Sequence, residues 1–119
     1  MERIKHGNAL MTIDDENKQE ALELAKRFAN IGYGIYATKG TADLFEAEGL
    51  YVHRASKIEA EDGKNVLDII RNGSVNFVIN TVSNKKNISA DGFLIRRVSA
   101  ENNISCMTSL DTANALVKV

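Results

Sequence analysis

The stretch YGIYATKGTADLF, residues 33–45, decides the fold, because a short polar turn in it joins an apolar strand to a helix. Its GIYA part, residues 34–37, has the apolar character that is typical of a buried strand. A polar turn and then apolar residues at helical spacing follow: Thr38, Lys39, Gly40, Thr41, then Ala42, Leu44, Phe45 and Ala47. A strand that leads straight into a helix predicts a parallel sheet, because parallel strands need a crossover connection, which is usually a helix.

The same alternation runs along the whole chain. Short apolar strands are predicted at residues 8–13, 34–37, 50–54, 76–80 and 104–107. The first helix is predicted to start at the acidic turn 14–17 and to end at Gly32, and the others at 42–47, 65–72, 93–102 and 109–119. The strands lack a polar face, as expected for a sheet that is covered on both sides. The sequence therefore predicts an α/β fold: a three-layer α/β/α domain with a five-stranded, mostly parallel, Rossmann-like sheet.

The composition is that of one ordinary globular domain. The 119 residues are 44% apolar and 26% charged, with a formal charge of −1. This balance argues against a general nucleic-acid binder. We expect residues 8–119 to form the domain and residues 1–7 to be a linker or an introduced start.

Cysteine and histidine usage is sparse. The single cysteine, Cys106, excludes an internal disulfide and lies in an apolar run, which favours a small buried side chain. There are two histidines and neither a CxxC nor an HExxH motif, so no metal site is predicted. No signal-peptide pattern and no apolar run of membrane-spanning length stand out, so we expect a cytoplasmic protein without a membrane partner.

A ligand site is predicted where the strands end, because ligands of open parallel sheets bind beyond the carboxyl ends of the strands. Gly40 would let backbone N–H groups point outward at a helix N-terminus, where the helix dipole favours an anion. Lysines and hydroxyl groups recur at the ends of the other strands, which favours a phosphate-sized pocket. Neutral Asn80 and Thr81 are suited to contact a base or ribose. The alternative is a simple capped turn, with Thr38 or Thr41 bonding the first helical N–H groups.

Carboxylates that could serve as a catalytic base all lie in loops or first helical turns, where acidic residues are commonly caps. These are Asp14, Asp15, Asp62, Asp91 and Asp111. A structural use is favoured for each of them, and no catalytic residue is predicted.

Several motifs, in order along nearly the whole chain, carry a family resemblance. They are the lysine of TIDDENK (Lys18), ATKGTA (37–42), the lysine of ASK (Lys57), INT (79–81), DGFLIRR (91–97) and TSLDTANAL (108–116). On these motifs the chain resembles the methylglyoxal-synthase-like domain family. It is most similar there to the C-terminal regulatory domain of the large chain of carbamoyl phosphate synthase.

The resemblance implies that this chain is a fragment of a longer protein and performs no chemistry itself. It would bind a nucleotide effector, UMP or IMP, and regulate carbamoyl phosphate synthesis for the pyrimidine and arginine pathways. Its partners would be the catalytic ATP-grasp portion of the same chain and the glutaminase small subunit. The domain itself would need no cofactor, whereas the parent ligase would use ATP, Mg²⁺ or Mn²⁺, and K⁺.

The resemblance also implies site residues. The phosphate side would be held by the polar turn and two further lysines: Lys18, Thr38, Lys39, Gly40, Thr41 and Lys57. The rest of the nucleotide would be lined by Asn80, Thr81 and Ser83. Thr108 matches a family position near the interface with the catalytic portion.

One departure affects effector identity: Val82 stands where the family often has a second threonine after INT. The alternative function is a methylglyoxal-synthase-type lyase acting on dihydroxyacetone phosphate. That enzyme carries a Gly-Thr-Thr-Gly loop and a Gly-Gly-Asp-Gln-Gln stretch, where this chain reads TKGT and AEDGKN, with Asp62 as the nearest carboxylate. A domain of the same fold that only docks partners also remains open.

Overall fold

A computed structural model describes residues 7–56, 63–81 and 90–107. Strands and helices alternate within these ranges. The elements are β1 (Asn8–Thr12), α1 (Lys18–Asn30), β2 (Gly34–Thr38), α2 (Lys39–Ala47), β3 (His53–Ala55), α3 (Val66–Arg71), β4 (Phe77–Asn80), α4 (Ala90–Glu101) and β5 (Ser105–Met107). A short 3-10 turn, Asp15–Asn17, precedes α1.

The five strands form one sheet in the order β3-β2-β1-β4-β5, and every pairing is parallel. The first strand of the chain is therefore the central strand, with Leu10 opposite Tyr36 of β2 on one side and Val78 of β4 on the other. This sheet confirms the predicted α/β fold.

Two apolar cores lie on opposite faces of the sheet, because successive side chains of a strand point to opposite sides. Ala9 and Met11 of β1 pack in one core with buried residues of α1 and α2. Leu10 lies in the other, with buried residues of α3 and α4. The sheet is thus the middle layer of three, as predicted.

An aromatic cluster stabilises the first core. The ring centroids of Phe28, Tyr33 and Phe77 lie 5.4–5.8 Å apart in tilted arrangements, a range that is favourable for aromatic pairs. Phe28 in α1 is 1% exposed. The cluster joins α1 to the strands on which it packs.

The predicted starts of three elements differ from the observed ones by three residues. The third strand covers His53–Ala55 rather than 50–54, because the chain first turns at Gly49 (φ 91°) and leaves Tyr51 exposed. α2 begins at Lys39 rather than at residue 42, since the chain turns into the helix directly after β2. α4 begins at Ala90 rather than at residue 93. The predicted final helix, 109–119, lies outside the described residues. Residues 1–6 of the predicted linker also lie outside them.

An ion-pair network ties the edge strand β3 to α2. The Arg54 guanidinium donates to Asp43 and Glu46, each at 2.7 Å, and the Lys39 ammonium lies 3.2 Å from Asp43. Hydrogen bonds from Arg54 and then Lys39 hold the pKa of Asp43 below its usual range. The same network raises the pKa of Arg54, chiefly through the hydrogen bonds to Glu46 and Asp43.

We expect Arg54→Gln to move the pKa of Asp43 up towards its usual range. Because the folded-state pKa is the lower one, the network stabilises the fold above the pKa of the unfolded chain, and this contribution is lost as the pH falls through the folded pKa. The measurement is an NMR titration of the Asp43 carboxyl carbon in both proteins. An identical titration curve in the variant would contradict the network.

Candidate functional site

The carboxyl ends of the three inner strands meet at one edge of the sheet. Thr12, Thr38 and Asn80 end β1, β2 and β4, and β1 lies between the other two. The strand order changes direction at β1, since the chain proceeds first to β2 and β3 and later crosses to β4 and β5. Such a switch point opens a crevice in which ligands of parallel sheets bind.

Lys18 and Gly40 come together at this edge. The ammonium nitrogen of Lys18 lies 3.8 Å from the position that a Cβ at Gly40 would take, and its Cε lies 3.9 Å from it. Gly40 is the second residue of α2, so its N–H belongs to the unpaired donors of that helix's first turn. A cation, a bare backbone and a helix N-terminus therefore adjoin one point, where they can hold an anion. The Lys18 side chain is 22% exposed and forms an ion pair with Asp15.

The two threonines of the turn have different surroundings: Thr38 is partly exposed and Thr41 is buried. Thr38 occupies the N-cap position of α2 with an extended backbone (φ −75°, ψ 169°), but its side chain makes no capping hydrogen bond. The alternative considered from the sequence was a capped turn in which Thr38 bonds the first helical N–H groups. The Thr38 hydroxyl does not make such a bond. Thr41, one residue after Gly40, is 1% exposed. Its position fixes the first turn of α2 against the core.

Lys39 lies on the outer side of the same turn. Its side chain is 81% exposed, and its ammonium pairs with Asp43 four residues along α2. Binding by Lys39 stays a prediction. Three other predicted site residues, Lys57, Ser83 and Thr108, lie outside the described residues, as does Val82.

A set of hydrogen-bonded side chains, here called the inner polar cluster, joins the ends of β1 and β4. It consists of Thr12, Asp14, Asn17, Asn80 and Thr81. The Thr12 hydroxyl donates to Asn80 Oδ1 at 2.7 Å. The Thr81 hydroxyl donates to Asp14 Oδ1 and accepts from the Asp14 N–H at 3.1 Å, and Asn17 Nδ2 donates to the same Oδ1 at 2.7 Å. The predicted site residues Asn80 and Thr81 thus contact the end of β1 and the residues after it, and each is less than 8% exposed.

Two atoms of the inner polar cluster have no hydrogen-bond partner among the residues that the structure describes. They are Asp14 Oδ2 and Asn80 Nδ2, an acceptor and a donor, and both atoms are buried. Buried polar atoms are nearly always bonded, so such exceptions call for an explanation.

Sequence reasoning did not assign Thr12 or Asn17 to the site, and it treated Asp14 as a structural acid. A signal for Thr12 was available, since it is a polar residue at the end of an otherwise apolar strand. Nothing in the sequence indicated that β1 and β4 are neighbours, and the contact between Asp14 and Thr81 depends on that pairing.

Residues of α4 and of the edge strand β5 form a shallow groove. It is lined by Phe93, Arg96, Arg97, Ala100, Ile104 and Cys106. Cys106 is partly buried, not fully buried as expected from the sequence, and this burial raises the pKa of its thiol. Arg97 pairs with Glu101 at 3.3 Å.

Within residues 7–56, 63–81 and 90–107, no three histidine, cysteine, aspartate or glutamate side chains are grouped so that they could hold a metal ion. None of the helices described in this part of the chain is both long and apolar enough to cross a membrane.

These observations define an α/β domain in which Lys18 and the N-terminus of α2 adjoin at the switch point of a parallel sheet. The family model of the MGS-like domain matches residues 20–108, and the chain belongs to this family. Two solved structures are similar to it. One is the methylglyoxal synthase from Elizabethkingia anophelis NUHP1, with a TM-score of 0.75 and 15% identity over 96% of this chain and 78% of that one. The other is ForH, with a TM-score of 0.68 and 17% identity over 96% of this chain and 79% of that one.

Proposed function

We propose that this chain is the effector-binding regulatory domain of a carbamoyl phosphate synthase large chain and that it binds a nucleoside monophosphate, UMP or IMP. The observation that carries the proposal is the meeting of the Lys18 ammonium with Gly40 at the N-terminus of α2. This arrangement suits a phosphate group, because a lysine acts as a point charge and the helix N-terminus supplies oriented N–H donors.

The rest of the ligand would lie over the inner polar cluster. Asn80 and Thr81 follow β4, which neighbours β1, and β1 leads through the 3-10 turn to Lys18. A phosphate at Lys18 would therefore place the sugar and base of a nucleotide towards the ends of β1 and β4. These side chains are polar and uncharged apart from Asp14, which fits the neutral part of a nucleotide.

Regulation would act by a shift between two states of the parent enzyme. An effector changes catalysis only through its different affinities for those states. The proposed phosphate contacts lie at the starts of α1 and α2, so a bound nucleotide would bias the positions of both helices relative to the sheet. The ATP-grasp portion and the glutaminase subunit would respond to that bias, and ATP, Mg²⁺ or Mn²⁺, and K⁺ would act in the parent enzyme.

The primary test is calorimetric titration of the chain with UMP and with IMP, with inorganic phosphate as the reference ligand. Saturable binding of either nucleotide, tighter than phosphate, supports the proposal. Binding of neither would overturn it for this chain.

We expect Lys18→Ala to weaken binding of that nucleotide by about 1.5–3 kcal/mol, the usual loss for a hydrogen bond to a charged group. Its effect on the free energy of unfolding should stay small, because the ion pair with exposed Asp15 is a surface one. The matched control is Lys26→Ala, which removes a lysine from the same helix where it pairs with exposed Glu23. Equal affinities in both variants would remove Lys18 from the site.

The second candidate is a methylglyoxal-synthase-type lyase. The observation that favours it is the Asp14 carboxylate, whose Oδ2 has no hydrogen-bond partner among the described residues. A carboxylate beside a phosphate site could abstract a proton from a triose phosphate. The test is methylglyoxal release from dihydroxyacetone phosphate. Turnover that Asp14→Asn abolishes would replace the regulatory proposal with this one.

A further inference from the structure

Asp14 is held more firmly than a solvent-exposed acid at the start of a helix needs to be. Its Oδ1 accepts from the Thr81 hydroxyl and from Asn17 Nδ2, and its own N–H donates to the Thr81 oxygen at 3.1 Å. These bonds tie the end of β1 to the end of β4, and all of the side-chain bonds use the same carboxylate oxygen. An asparagine would supply that oxygen equally well, so the structural role does not account for Oδ2.

Asn80 shows the same division of roles. Its Oδ1 is occupied by the Thr12 hydroxyl at 2.7 Å, and the side chain is 6% exposed, yet Nδ2 has no partner among the described residues. Because an amide places oxygen and nitrogen on opposite sides of the same carbon, anchoring Oδ1 directs the N–H groups away from Thr12. The inner polar cluster thus holds one spare acceptor and one spare donor in fixed positions.

We propose that Asp14 determines ligand specificity at this site by accepting a hydrogen bond from one of the two ribose hydroxyls, while Asn80 donates to a neighbouring ribose oxygen. A hydroxyl group can donate and accept at once, so a vicinal diol satisfies both spare atoms. Carboxylates bind ribose hydroxyls in other nucleotide-binding parallel sheets. This inference rests on the proposed function, and it adds the recognition of the sugar.

The charge of Asp14 also fixes the direction of the ligand. A carboxylate repels a phosphate, whereas the Lys18 ammonium beside Gly40 attracts it. The phosphate therefore belongs at Lys18 and a hydroxyl-bearing group at Asp14. Inorganic phosphate carries the charge that Asp14 repels and has no ribose diol, so the proposed contact contributes nothing to its binding.

The variant Asp14→Asn separates this role from the structural one. It keeps an oxygen for Thr81 and Asn17 and changes the spare acceptor into a donor. We expect it to weaken UMP or IMP binding about tenfold and to leave inorganic phosphate binding unchanged or tighter. A merely structural role would weaken all of these ligands together. Glu23→Gln on the exposed face of α1 removes the same charge and serves as the control, with no change for any ligand.

Deoxynucleotides test the contact in the wild-type chain as well. We expect removal of the ribose hydroxyl that donates to Asp14, either the 2′- or the 3′-hydroxyl, to cost about tenfold in the wild type and almost nothing in Asp14→Asn. Removal of the other hydroxyl, which contacts Asn80, should cost the same in both proteins. Equal binding of UMP, 2′-deoxy-UMP and 3′-deoxy-UMP (or of the IMP series) by the wild type would overturn the inference while leaving the regulatory proposal standing. The same holds if Asp14→Asn discriminates against both deoxynucleotides as strongly as the wild type does. Failure of every nucleotide to bind the wild type would overturn both.

Discussion

Phe28→Ala should lower the free energy of unfolding by about 3–5 kcal/mol, the usual loss when a buried phenylalanine is truncated to alanine. Phe28 is 1% exposed, and its ring lies 5.5 Å from that of Tyr33 and 5.4 Å from that of Phe77. Truncation removes buried apolar surface, breaks two aromatic pairs and leaves a cavity between α1 and the sheet. Urea denaturation followed by circular dichroism measures the change.

The matched control is Tyr51→Ala, which removes an aromatic ring that is 80% exposed and follows the turn at Gly49. Its effect should stay within about 0.5 kcal/mol, as is usual for surface substitutions. A loss below about 1 kcal/mol for Phe28→Ala would mean that the aromatic cluster is not a well-packed part of the core.

Gly40→Asp should weaken anion binding roughly hundredfold, which corresponds to about 2.7 kcal/mol. The new carboxylate would extend from a Cβ that lies 3.8 Å from the Lys18 ammonium, so it would pair with Lys18 in place of the phosphate. The fold should be unharmed or slightly stabilised, because an acidic residue in the first turn of a helix is favourable by about 0.3–1 kcal/mol. Nucleotide titration and thermal unfolding of the same sample measure the two effects.

Gly40→Asn is the control, because asparagine has nearly the same shape without the charge. It should bind the nucleotide more tightly than Gly40→Asp does. The Gly40 backbone is not among the positive-φ glycines, so neither variant is strained there. Equal losses in the two variants would indicate that crowding, and not competition for Lys18, blocks the site.

The sequence was sufficient to predict the class of fold. Each apolar run is followed by a helical pattern. Because parallel strands need crossover connections, which are usually helices, this alternation predicts a parallel sheet covered by helices. It was not sufficient for β3, because the exposed Tyr51 lies in an apolar stretch and only the turn at Gly49 shows where pairing begins. The start of α2 at Lys39 was missed for a related reason: a glycine in a polar turn resembles a loop until its dihedral angles are known.

Part of the candidate site was predictable, since polar residues at strand ends must share one edge of a parallel sheet. Lys18 and Gly40 do adjoin each other there. The inner polar cluster was not predictable, because it depends on which strands are neighbours. Asp14 and Thr81 are 67 positions apart in sequence, and only the placement of β4 beside β1 brings them into contact.

The central position of the first strand has a consequence for synthesis of the protein. The edge of β1 that pairs with β4 stays open until a segment some 68 residues further on has been made. Until then a nascent chain carries an unpaired strand edge with apolar residues, such as Leu10 and Met11, that are buried in the folded protein. Other chains can pair with such an edge and aggregate. Completion of the sheet both closes that edge and assembles the contact between Asp14 and Thr81. A chain that binds its ligand has therefore already passed its most aggregation-prone stage.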